Sequence, residues 1–301
     1  MVAWYIATVY NTPIIGYYQI KLVQHQIMKH NTSWGKVADW YDEYLGSDDS
    51  YQKNVVLPNL TRIVGPRFGM TIADIACGQG YFSEVFAQAG ARVIGVDISA
   101  ELIRKAEGRF TDLKLKNSEF FVSPSDNLSM IQSSSVDTAV CVLAAQNIRE
   151  LDATVKEVSR IIKRAKKIDT VSKAIRQKTE VNNSVTTKHG TFVLVINHPM
   201  YRIPQESDWH FEEKDHSPHK HKQGRVVYQY LSEGTMKIDM NPGIPKERIR
   251  DKKYTISYHR PLQVFVKTLA KHGFAITRIE EWSSHKVSQE GPRAKAENKA
   301  R

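Results

Sequence analysis

Between Met70 and Trp282 two hydrophobic rhythms take turns along the chain. Short continuous apolar runs ("MTIADIA", "ARVIGVD", "SEFFVS", "VDTAVCVLAA", "GTFVLVIN") read as strands buried on both faces. Between them lie stretches with apolar residues three or four positions apart. "YFSEVFAQAG" stops at Gly90, "AELIRKAEGRF" follows the N-cap candidate Ser99, and a third helix is predicted from Glu150 to about Lys166. "RPLQVFVKTLAKHG" is predicted to start helically at Pro261 and stop at Gly273, before a last strand, "FAITRIEEW". Such alternation implies an α/β fold with a parallel sheet covered on both sides. Ahead of it, Trp34, Val37, Trp40, Tyr41 and Tyr44 fall at helical spacing, and a second helix is predicted near Asp49.

Three regions break the rhythm. Residues 165–188 put about twenty extra polar residues where a helix-to-strand turn normally needs a few. They read as a solvated insertion. Residues 198–258 are polar and aromatic with no clear layer of their own, and residues 283–301 carry no strand signal. Residues 1–20 hold no charged side chain, yet Asn11, Pro13, Gly16 and Gln19 make poor hydrocarbon-spanning material. Met28 then opens ordinary globular sequence. Residues 1–27 are therefore expected to be an extension outside the fold, with no stable membrane insertion. The expected organisation is this extension, a helical cap at 28–69, the main domain at 70–282 and a basic tail.

Composition changes the picture little. The 301 residues are 41% hydrophobic and 25% charged, and Cys77 and Cys141 match no metal or redox spacing. Two cysteines exclude a disulfide scaffold and make a reducing cytoplasm the default. The net charge of +11 would suggest nucleic acid if it were spread over the core. Instead, residues 163–190 carry eight Lys/Arg against two acids, and residues 285–301 carry five against two, so +9 of the +11 sits in two polar segments. This argues against a nucleic-acid partner. His210, His216, His219 and His221, near Glu212, Glu213 and Asp215, match no defined metal spacing and read as an exposed loop.

The chemistry concentrates in "DIACGQGYFS", Asp74 to Ser83, a strand entering a tight turn and then a helix. Such a turn presents backbone N–H groups to a ligand. A phosphate loop would need a Lys after Gly80, and a dinucleotide fingerprint would need glycine at Ser83. Neither condition is met, and an acid ahead of the turn suits a ligand carrying an amino group. Asp97 likewise ends the next strand.

These residues resemble the first motif of the class I S-adenosylmethionine-dependent methyltransferases, Asp-x-Gly-x-Gly-x-Gly, with Ala76 in place of its first glycine. The resemblance implies a Rossmann-like sheet and S-adenosylmethionine (SAM) as cofactor. It implies cofactor contacts from Asp74, Ala76, Cys77, Gly78 and Gly80 in the first turn, and from Asp97 and Ile98 at the ribose. Ser125, Asp126 and Asn127 would face the adenine, and Gln146 the methionine end. The segment after the fifth strand would cover a small-molecule acceptor, with His198 and Arg202 as the candidate catalytic contacts and His259 a weaker one. Trp34, Trp40, Tyr41 and Tyr51 would belong to the same cover. No metal is implied, and a monomer or homodimer is expected.

Two departures matter. "NHPMY" at Asn197–Tyr201 resembles an Asn-Pro-Pro-Tyr box for amino-group acceptors but follows the fifth strand rather than the fourth, where "AAQN" stands. The resembled fold also ends with an antiparallel seventh strand between the fifth and sixth. No apolar run follows Trp282, so a gap in the sheet is expected. The alternatives left open are an RNA or protein methyltransferase docking through the basic insertion, and a non-catalytic SAM-binding remnant. An NAD-dependent oxidoreductase is disfavoured by Ser83.

Overall fold

The computed structural model describes residues 4–11, 49–164, 189–200, 207–212, 222–239 and 254–287. The predicted alternation is present. Strands β2 (Thr71–Ile75), β3 (Arg92–Asp97), β4 (Ser118–Val122), β5 (Thr138–Val142) and β6 (Thr191–Asn197) alternate with four helices. These are α1 (Leu57–Val64), preceded by a π-helical turn at Gln52–Val56, then α2 (Tyr81–Gln88), α3 (Ala100–Asp112) and α4 (Leu151–Ile161). The Ser99 hydroxyl accepts the Leu102 amide at 3.3 Å, the cap expected of it.

The apolar strands are continuous because neighbouring side chains enter different cores. In β6, Phe192, Leu194 and Ile196 pack with α4, while Val193 and Val195 pack on the opposite face with α1 and α2. Ala139 and Cys141 of β5 split from Val140 and Val142 in the same way. Phe86 of α2 is fully buried, worth about 1.5–3 kcal/mol for a side chain of this kind.

After β6 the chain forms two antiparallel pairs, β7 (Ser207–Glu212) with β8 (Lys222–Val227), and β9 (Gly234–Asp239) with β10 (Tyr254–His259). The sequence had shown no layer here, because the buried positions of these ribbons, Thr255 and His259 among them, are polar and leave no apolar alternation to mark them. Then α5 (Leu262–Lys271) ends at Gly273, whose φ of 83° stops the helix, and β11 (Phe274–Trp282) returns to the sheet. The cap residues 34–44, the insertion 165–188 and the tail from 288 lie outside the described residues.

One expectation is overturned. The sheet has seven strands in the order β11-β1-β6-β5-β2-β3-β4, and β1 is Trp4–Asn11. It runs antiparallel to both neighbours, with Ala7 opposite Leu194 of β6 and Ile279 of β11, and a bulge between Thr8 and Val9. Residues 4–11 thus stand inside the fold, in the place where a gap was expected between the strands now numbered β6 and β11. The physical reason is simple: a gap would leave two rows of backbone groups unpaired, and "WYIATVYN" is rich in aromatic and β-branched residues that suit a strand.

Candidate functional site

The parallel strands change direction of succession between β2 and β5: β3 and β4 extend one way from β2, and β6 follows β5 the other way. Open α/β sheets bind ligands in the crevice this creates, at the strands' C-terminal ends. The first turn lies there. Ala76, Gly78 and Gly80 have φ of 57°, 58° and 77°, three left-handed residues in five positions. For Ala76 this costs about 1–2 kcal/mol, so the alanine that replaces the motif's glycine is accommodated under strain. A Cβ at Gly78 would meet nothing within 4 Å, which leaves the backbone there open to a ligand. At Gly80 it would press on Ala106 and Phe110 at 3.2 Å, so that glycine lets α2 start close against α3.

Two buried carboxylates flank the turn. Asp97 accepts the Gly78 amide at 2.9 Å on one oxygen and the Ser99 amide at 2.8 Å on the other. Burial raises its pKa, offset by the Ser99, Gly78 and Ile98 amides. Asp74 accepts the Ser83 hydroxyl at 2.6 Å. Burial, with a contribution from the Asp97 charge, pushes it up to about 7, against the pull of Ser83. Burial and both carboxylates also raise the Cys77 thiol. Neither carboxylate has a cationic partner among the described residues. Ser83, read from the sequence only as a missing glycine, instead secures the acid that opens the motif.

The third piece is tied to the second. The Ser123 amide donates to the Asp97 carbonyl at 2.9 Å, which brings the 123–127 turn beside the end of β3. Ser125 bonds Thr154 at 2.8 Å, Asn127 is exposed, and half-buried Asp126 makes no side-chain hydrogen bond among the described residues. After β5, Gln146 donates its amide to the Leu143 carbonyl, while its buried Oε1 has no partner among the described residues.

A small cleft of about 30 Å³, open at its mouth, adjoins this tip. Gln146, Asn197, Pro199, Met236, Ser257, Tyr258, His259, Arg260 and Phe265 line it. Arg260 was not anticipated. Its buried guanidinium donates to the carbonyls of Ala145, Ile148 and Arg149 at 3.3, 2.9 and 2.8 Å, clamping the Gln146 loop to the end of β10. An Arg-Pro pair at a helix start carries no signal of that reach. His198 is buried too, but its Nδ1 accepts the Met200 amide at 3.1 Å and its Nε2 stands 3.7 Å from Glu281. Burial lowers its pKa, so the neutral ring is favoured and its lone pair is already used. With Nδ1 occupied, the neutral His198 ring presents Nε2–H rather than a second lone pair. Arg202 lies outside the described residues. Among the described residues no His/Cys/Asp/Glu group is fit to hold a metal, and no helix is long and apolar enough to cross a membrane.

Solved structures share the architecture. A methyltransferase from Mesorhizobium loti, described as S-adenosylmethionine dependent, is 20% identical with a TM-score of 0.54, covering 81% of this chain and 88% of its own. A second, from Listeria monocytogenes, is 19% identical with a TM-score of 0.52, over 76% and 87%. At such identity they show the fold alone. Among curated proteins, a ubiquinone biosynthesis O-methyltransferase of Leptothrix cholodnii is 24% identical over 125 residues, 41% of this chain and 53% of that protein. The chain spans about half the length of the curated relatives it matches. The family model described as a methyltransferase domain matches residues 67–231, from just before β2 through β8, a stretch that holds both carboxylates, the glycine turn and the Gln146 loop. By that match, over more than half its length, the chain belongs to the methyltransferase domain family.

Proposed function

We propose that the chain is a SAM-dependent methyltransferase whose acceptor is the hydroxyl of a neutral, planar small molecule. The observation that carries the donor assignment is the pair of buried carboxylates without a cationic partner, on adjacent strand tips around a left-handed glycine turn. A nucleoside–amino-acid donor supplies what they lack: an amino group for Asp74 and ribose hydroxyls for the remaining lone pairs of Asp97. Asp126 would face the adenine amino group, and the orphaned Gln146 Oε1 the methionine end. When bound, SAM supplies an activated methyl group on a sulfonium, so displacement needs alignment and exclusion of water more than covalent help.

The acceptor reading rests on the cleft beside Gln146. Met236, Tyr258 and Phe265 give it apolar and aromatic walls, and its guanidinium is spent on backbone carbonyls, so no free charge greets an ionic acceptor. The curated relatives' name adds the oxygen as accepting atom. Calorimetric titration with SAM, S-adenosylhomocysteine and NAD tests the donor; binding of NAD in preference to SAM would remove the proposal. Release of S-adenosylhomocysteine in the presence of catechol, simple phenols and amines tests the acceptor, and turnover confined to amines would refute the hydroxyl.

A further inference from the structure

We propose that His259 is the general base of the acceptor cleft, receiving the acceptor hydroxyl's proton on Nδ1. This rests on the hydroxyl-acceptor reading above and names the residue that reading lacks. His259 lines the cleft, is 8% exposed, and sits at the end of β10. Its Nε2 lies 2.9 Å from the Tyr230 carbonyl oxygen. A carbonyl can only accept, so in the neutral ring Nε2 carries the proton and Nδ1 carries the lone pair. No hydrogen bond reaches Nδ1 among the described residues.

The surroundings hold that tautomer in place. The Tyr230 hydroxyl accepts the Leu262 amide at 3.1 Å at the start of α5, and its ring centroid lies 6.2 Å from that of His259. The carbonyl facing Nε2 is therefore anchored at both ends of its residue. Arg260, the next residue, fastens the end of β10 to the Gln146 loop, so base and donor-side loop share one clamp. Among the described residues, the titratable groups around His259 are Tyr230, Tyr258 and Arg260, with Glu233 and Glu150 acting on the Arg260 charge. The Arg260 guanidinium has no lone pair to offer and is committed to backbone carbonyls. His198, the alternative histidine, has already given its lone pair to Met200.

The step balances without another reactant. The acceptor O–H proton passes to Nδ1, and the acceptor oxygen forms its bond to the methyl carbon. The carbon–sulfur electron pair returns to sulfur, leaving a thioether, an O-methyl product and an imidazolium. The Tyr230 carbonyl keeps its contact with Nε2–H throughout the transfer.

The test compares wild type with H259Q and H259F, using SAM as donor and catechol as probe acceptor. Gln keeps an N–H for the Tyr230 carbonyl but has no base. The expected result is a loss of about 10²–10⁴ in kcat, with the SAM Kd unchanged within about twofold, and disappearance of the acid limb of the pH profile. The loss should shrink for 4-nitrocatechol, which ionises without help. In wild type without donor, ¹⁵N spectra should show His259 protonated at Nε2 and bare at Nδ1, with the Nδ1 signal moving on addition of catechol. If wild type turns over catechol and H259Q keeps both its kcat and its acid limb, His259 is not the base. A protonated Nδ1 in the free protein overturns the proposal equally, and decides the matter if the variants fail to bind SAM. Absence of any hydroxyl turnover by SAM-bound wild type would sink the acceptor reading, and this role with it.

Discussion

Asp74 should make the ligand-free protein less stable as pH rises, and replacing it should remove that loss. In the unfolded chain the carboxyl ionises near its ordinary value of 3.8; in the fold, burial holds it near about 7. Below about pH 4 both states keep the proton and nothing is lost. From there to about 7 the unfolded state releases its proton and the folded state does not, so stability falls with rising pH. The full interval corresponds to about 4 kcal/mol at about 1.36 kcal/mol per pH unit. Between pH 5 and pH 8.5 about two units of it remain, or about 3 kcal/mol. Asp74→Asn is neutral throughout, and its amide oxygen still accepts the Ser83 hydroxyl. Urea unfolding of both proteins at pH 5 and 8.5 isolates the effect, because other titrating groups cancel in the comparison. The variant should gain about 3 kcal/mol relative to wild type between the two pH values. The same carboxylate should govern donor binding. The SAM Kd of wild type should tighten up to about tenfold per pH unit from 5.5 to 7, while the donor's amino group stays protonated, and that of the variant should be weak and flat. An unchanged stability difference across this range would refute the reasoning, since it would mean that Asp74 is already ionised in the fold.

Asp97→Ala leaves the Gly78 and Ser99 amides without their acceptor, so it should cost about 2–4 kcal/mol of stability and raise the SAM Kd at least tenfold; an unchanged Kd in titration calorimetry contradicts the ribose assignment. Ala7→Pro in β1 strikes a strand paired on both sides and should lower stability by about 3 kcal/mol or more, whereas an unaltered urea midpoint would place residues 4–11 outside the sheet in solution. Ala76→Gly should relieve left-handed strain and, after the entropy cost of glycine, stabilise by about 0.5–1 kcal/mol by the same assay. The Lys163 carbonyl accepts the Gly190 amide at 2.8 Å, so the ends of the basic segment meet. Replacing residues 165–188 by a short Gly-Ser turn should therefore leave stability within about 1 kcal/mol and methyl transfer intact; loss of transfer with the fold preserved would turn the reading to a macromolecular acceptor docked there.

Much of the donor site was legible because its signals are local. The run Asp74–Gly80 determines its own turn, and a polar acid ending an apolar strand shows itself by contrast with its neighbours. Doubly covered strands such as β5 and β6 are apolar at every position, which separates them from surface strands without knowledge of what covers them. The acceptor side was less legible. His198 and His259 look alike in a sequence, and only hydrogen bonds to Met200 and Tyr230 separate a spent lone pair from an available one.

Sequence alone, then, determined the parallel α/β core, the glycine turn and the two acids, since each depends on residues within a few positions of one another. The tertiary structure decided that Trp4–Asn11 joins the sheet beside residues 191–197 and 274–282, that Arg260 clamps a loop more than a hundred positions earlier, and that Asp74 is held near about 7. Strand composition says that a segment can pair but not with which partner, and the energy of a buried charge depends on everything packed around it.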